Sequence, residues 1–108
     1  MSAPLVEALF DAIRSGEVAA LDEVLSPDCV DHDPMPHQPP GRVGVALKMS
    51  VWRALAPGFR TTVEAVREDV GETVATWLTT VPGGQARWEG RFGVRAGRIS
   101  SLGVRRVG

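Results

Sequence analysis

The side chains able to move a proton crowd into one short stretch, Asp31-His32-Asp33-Pro34, with His37 close behind. A carboxylate or imidazole set in an apolar wall has its pKa drawn toward neutrality, and it can then exchange a proton with a substrate without a metal. On a strand, His32 and Asp33 point to opposite faces, so both serve one pocket only where the strand ends or twists. Each also has a purely structural reading. Asp33 can cap the proline-rich loop by accepting backbone N–H groups, and His32 can be buried against backbone. His37, among prolines, is expected to be exposed and to reach a pocket mouth only through loop movement. Asp31, His32, Asp33 and His37 match no standard ligand spacing, so no metal is expected. Cys29 is the lone cysteine. It can form no intrachain disulfide, and with no evident cation or helix N-terminus to lower its pKa it reads as a core thiol rather than a nucleophile.

A second set could bind rather than react. Trp52, Trp77 and Trp88, with Phe92, Leu102 and Met49, are candidates for lining an apolar pocket, because an indole offers a broad apolar face and one N–H to orient a ligand. The same rings would serve equally well as ordinary core. No phosphate-cradling glycine loop, nucleophile elbow or His-Glu-x-x-His motif is present, and no cofactor is expected.

The elements that must position these residues are legible in the periodicity. Leu5, Val6, Leu9, Phe10 and Ile13 form one helical stripe, with Ser2 as its cap and Gly16 as its end. Val18, Leu21, Val24 and Leu25 predict a second, short helix stopped by Ser26-Pro27. A brief extended stretch, Cys29 to Asp33, leads into a loop from Pro34 to Gly41, where four prolines in seven residues exclude helix and central strand. A third helix, about Val43 to Ala56, carries Val45, Leu47, Val51, Trp52 and Leu55 and is closed by Pro57-Gly58. From Phe59 the period becomes two-fold and β-branched residues accumulate, predicting strands near 59–69, 72–81, 85–95 and 98–107. Each intervening turn contains glycine. On the third of these strands Trp88, Gly90 and Phe92 share one face, and Arg87, Glu89 and Arg91 the other. Helices followed by an antiparallel meander argue an α+β domain, with the helices on one side of the sheet.

The 108 residues suit a single domain spanning the chain, and 44% hydrophobic with 23% charged residues is an ordinary globular balance. Uncharged runs are too short for a membrane span, and no basic patch precedes an apolar stretch at the N-terminus, so a cytoplasmic protein without membrane contact is expected. The charge is unevenly spread. Residues 1–50 carry eight acids against three bases, and residues 51–108 nine arginines against five acids. The arginine excess is small and lacks a stacking aromatic face, so no nucleic-acid partner is expected. A solvated sheet face or a subunit interface fits better.

Two segments carry a family likeness. Leu21 to Pro34, with its Asp31-His32-Asp33-Pro34 ending, and Gln38-Pro39-Pro40-Gly41-Arg42-Val43-Gly44-Val45 resemble the SnoaL-like polyketide cyclase group of the nuclear-transport-factor-2-like superfamily. The resemblance implies a cone-shaped α+β barrel, three N-terminal helices packed against a curved, mainly antiparallel sheet. It further implies a mostly apolar cavity inside the cone and a homodimer through the sheet. Members include cyclases, isomerases, dehydratases, hydrolases and plain binding modules, so the fold leaves the activity open.

The same resemblance ranks the proton-moving residues. Asp33 stands before Pro34 where the similar ketosteroid isomerases place a general base, which would abstract a proton beside a carbonyl. His32 matches the position of a cavity-facing histidine in many SnoaL-like chains. Three departures weaken this chemistry. Gly90 falls where the family usually carries an acid, Leu102 where it often carries a histidine, and the chain has no tyrosine to help hold an oxyanion. Losing one oxyanion donor typically costs about 3 kcal/mol of transition-state stabilisation. Three readings follow: a cofactor-free cyclase or isomerase acting on an apolar ring-bearing substrate, a non-catalytic module binding a hydrophobic metabolite in a space left open beside Gly90, and a structural homodimer.

Overall fold

The apolar stripe at the start of the chain winds into helix α1, Ala3–Ser15, in the computed structural model, which describes residues 2–55 and 60–108. It buries Val6, Leu9, Phe10 and Ala12, and Gly16 closes it in the left-handed region at φ 74°, its N–H reaching Ala12 O at 3.0 Å. Ser2 occupies the N-cap position, but its side chain makes no capping bond.

The second helical segment is shorter than its apolar pattern suggests. A 3₁₀ turn at Val18–Ala20 passes into α2, Leu21–Val24, and Leu25 is already extended. Pro27 disfavours a helical Ser26, and strand β1, Leu25–Asp31, runs straight through the proline. An edge strand tolerates this because one side of its backbone has no ladder to feed. The pairing slips between Leu25 and Val30, on either side of Pro27 and Asp28.

Helix α3, Gly41–Leu55, follows the proline-rich loop and packs chiefly on β1. Only Gly44 and Val45 are fully buried along it, while Leu47, Trp52 and Leu55 are 45%, 50% and 78% exposed. The expected closing pair Pro57-Gly58, and Phe59, assigned above to the first strand, lie outside the described residues.

The meander forms as its alternation predicts: β2 Arg60–Asp69, β3 Glu72–Val81, β4 Gly84–Arg95 and β5 Arg98–Arg106. The sheet order is β1-β5-β4-β3-β2, antiparallel except where β1 runs parallel to β5, and it is open, with β1 and β2 as its edges. Register places Thr73 beside Phe92, Ala75 beside Gly90, Trp77 beside Trp88, and Phe92 beside Leu102. These residues share the helix-facing side. Phe10 of α1 meets Trp77 edge-on, ring centroids 4.9 Å apart.

The outer face is an ion-pair lattice. Arg87 grips Glu64 through Nε and Nη2 at 2.7 and 3.1 Å, Arg91 reaches Asp69 at 3.2 Å, and Arg105 reaches Glu89 at 3.2 Å. Val74, flanked in register by Arg67 and Arg91, is only 1% exposed on that face. Arginine stems cover apolar surface in this way while their heads stay in water. Among the described residues no helix is long and apolar enough to cross a membrane.

Candidate functional site

The end of β1 decides where the proton-moving residues go. Asp31 pairs in register with Leu102 of β5, so its side chain joins Leu102 on the helix-facing side and His32 turns to the outer one. There the Asp31 side chain is 4% exposed. Its Oδ2 accepts from Lys48 Nζ of α3 at 2.8 Å and from Gln38 Nε2 at 3.1 Å, and its Oδ1 accepts the Asp33 N–H at 2.9 Å. Lys48 Nζ also donates to Asp33 O at 2.9 Å, and Gln38 Oε1 accepts the Met35 N–H at 2.9 Å. The proline-rich loop is wound around this buried pair. Burial pushes the Asp31 pKa up, but the hydrogen bonds from Lys48, Asp33 and Gln38 and the lysine charge outweigh it and hold the carboxyl below its usual value. A carboxylate so held is a poor base and serves as an anchor.

Sequence reasoning noticed Asp31 beside His32 and Asp33 but gave it no role of its own, and it overlooked Lys48 and Gln38 as its partners. One signal was available: Lys48 is the chain's single lysine and lies one turn beyond the buried Val45. Among the described residues no cluster of three or more His, Cys, Asp or Glu could hold a metal.

Asp33 and His32 are both exposed. Asp33 Oδ2 accepts the Val104 N–H at 2.8 Å, capping β5 just past the end of β1. The His32 N–H bonds Leu102 O at 2.9 Å. A Cβ placed on outward-facing Gly103 would stand 3.5 Å from Asp33 Oδ2 and 3.7 Å from His32 Cβ, so both side chains lie on that outer side. His37 is exposed at φ 64°. The structure therefore brings Asp31, not Asp33 or His32, to the helix-facing side.

Inside the sheet, Trp77, Phe92 and Leu102 are buried at 7%, 2% and 4% exposure, with Trp88 half-buried against them. Trp52 stands half exposed and apart from this cluster, and Met49 packs at its margin. The space expected beside Gly90 is taken. A Cβ there would fall 2.6 Å from the Trp77 ring and 2.9 Å from Phe92, so the missing side chain is replaced by an indole from the neighbouring strand rather than by a ligand. Cys29 is 1% exposed, and burial, with the nearby Asp31 and Asp28 charges, pushes its thiol up to about 11. It stays protonated at neutral pH.

Open space lies elsewhere, between α1, the 3₁₀ turn and α2, and α3. A cavity of about 360 Å³ there is lined by Ile13, Val18, Leu21 and Met49, with Ser50 and Arg53 as its polar side chains. Arg53 Nη1 donates to Ile13 O and Arg14 O, both at 2.8 Å, satisfying carbonyls left over at the end of α1. Its guanidinium lies against Gly16, where a Cβ would come within 2.8 Å of Cζ. Of this lining, the sequence had singled out only Met49 as a pocket residue.

The shape of the chain recurs in solved structures. A loop-truncation variant of IdmH, a protein from Streptomyces antibioticus, superposes with TM-score 0.84 at 23% identity, over 98% of this chain and 92% of that one. A candidate polyketide cyclase from Sinorhizobium meliloti gives 0.82 at 21% identity, over 94% of both chains. A nuclear-transport-factor-2-like protein of unknown function from Cytophaga hutchinsonii gives 0.79 at 19%, over 99% and 90%. No curated protein sequence matches significantly. The profile of the SnoaL-like domain matches residues 6–102, nearly the whole chain, and the protein belongs to that family.

Proposed function

We propose that this SnoaL-like domain is a non-catalytic binding module that holds a small, mainly apolar molecule in the cavity between its helices. One observation carries the reading: among the described residues, the open space of about 360 Å³ is lined by apolar side chains with one serine and one arginine, and by no carboxylate, imidazole or thiol. General acid–base chemistry needs such a group within hydrogen-bond reach of the reacting atom. Asp31 is locked by Lys48, Asp33 is bonded to the Val104 N–H, and His32 faces outward. A cyclase or isomerase reading draws its support from the fold shared with a candidate polyketide cyclase and would use Asp33 as its base. The bond from the Val104 N–H counts against it, because it already occupies Asp33 Oδ2 in capping β5.

The test is thermal stabilisation by a panel of one- and two-ring aromatic compounds, set beside the variant Ala54→Trp, which fills the cavity from the last turn of α3. A ligand at about 100 times its Kd adds about 2.7 kcal/mol of stability. The wild type is expected to respond and the filled variant not. An equal response from both would place binding elsewhere, and turnover of a cyclic ketone, lost in Asp33→Asn, would replace this reading with the catalytic one.

We also propose that two copies pair through the outer face of the sheet. Basic and acidic side chains alternate there within one patch, and such a patch is complementary to itself under two-fold symmetry.

A further inference from the structure

We infer that the ligand of the inter-helix cavity is a small carboxylate, one or two rings in size, whose anionic end is taken by Arg53. This rests on the binding reading just given and adds the chemical class of the ligand. Arg53 is the cationic side chain of the lining, and it forms no ion pair with a carboxylate among the described residues. Nη1 is occupied by two backbone carbonyls of α1, which hold the group in one orientation, while Nε and Nη2 have no hydrogen-bond partner among the described residues.

Those two nitrogens are the side-on fork that matches a carboxylate with two parallel hydrogen bonds. The chain itself shows the geometry on its outer face, where Arg87 holds Glu64 through the same Nε and Nη2 pair at 2.7 and 3.1 Å. Gly16 lets the guanidinium lie flat at the cavity edge, since any side chain there would displace it. Ser50, one turn before Arg53, donates its hydroxyl hydrogen to Ala46 O at 3.0 Å, so it presents only lone pairs to a ligand and competes little for an anion. The remaining walls, Ile13, Val18, Leu21 and Met49, suit a ring. The volume of about 360 Å³ lies near the lower end of known ligand sites, roughly 300–1,000 Å³, which suits a ligand of one or two rings.

Calorimetric titration with naphthoate, naphthamide and naphthalenemethanol tests this, because the three share a ring system and differ in charge. On the wild type, naphthoate is expected to bind about tenfold more tightly than the amide or the alcohol, a difference of about 1.4 kcal/mol, and the preference is expected to shrink as salt is raised. In Arg53→Gln the acid-to-amide ratio falls to about one, whereas Arg53→Lys keeps part of it. A ratio taken within each variant is unaffected by any loss of stability at the end of α1. Equal binding of acid and amide to the wild type, abolished for both by Ala54→Trp, would overturn the carboxylate inference and leave the binding module standing. An acid preference that survives Arg53→Gln would overturn the role of Arg53, and no binding by any of the three would overturn the inference outright.

Discussion

At the scale of single residues, the molecule turns on Asp31. Its carboxylate tolerates burial because three donors answer its two oxygens, and the strongest of them is a charge. Removing one partner of a buried pair leaves the other uncompensated, which costs about 3 kcal/mol or more, whereas replacing both by apolar groups is often neutral. Lys48→Met is therefore expected to lower the unfolding free energy in urea by about 3 kcal/mol, and Asp31→Leu combined with Lys48→Met to recover most of that loss. The pair also has a pH signature. The folded-state pKa of Asp31 is lowered, so its contribution is present above the unfolded value of about 4 and is lost as pH falls through the lower folded value. Urea titrations at a series of acidic pH values should show a steeper loss of stability in the wild type than in Asp31→Asn, and parallel curves would remove Asp31 from the acid limb. The type of residue was legible in the sequence, but its partner was not. The proline-rich loop separates Lys48 from Asp31, and its path depends on bonds that only the folded backbone can supply, such as Asp33 N–H to Oδ1.

At the scale of elements, the strands were readable because alternation and glycine-bearing turns are local signals. The helices were less so. Of the apolar residues that the sequence places on α3, Leu47, Trp52 and Leu55 are left about half or more exposed, because α3 rests mainly on β1. Pro27 looked like a helix stop and proved to lie within an edge strand, since nothing local reveals that a distant β5 will pair beside it. The turn between β2 and β3 carries a defect of its own. Val70 adopts φ 40° beside Gly71 at φ 77°, and it is 97% exposed, so its branched side chain meets the cost of a left-handed backbone with almost no packing in return. Two-residue hairpin turns of this hand favour Asn at that position. Val70→Asn is expected to stabilise the protein by up to about 1 kcal/mol, read as a rise in Tm, while a fall would show that Val70 makes a contact worth more than the strain.

At the scale of the whole molecule, an acidic helical half and a basic strand half become one body in which four of the eight strand arginines, Arg67, Arg87, Arg91 and Arg105, hold carboxylates of the same sheet. Separating two self-complementary patches of that kind should be sensitive to salt. Sedimentation at low salt is expected to give a species of twice the chain mass, shifting toward the single chain as salt rises, and a single-chain mass throughout would remove the proposed pairing. The strand order has a further consequence, for how the chain comes into being. β1 precedes the meander in the chain, yet its neighbour in the sheet is β5, the fourth strand to follow it. Until β5 has been made, the backbone of residues 25–31 therefore has no ladder to join. The β1–β5 pairing therefore completes the sheet only after the whole meander has been synthesised.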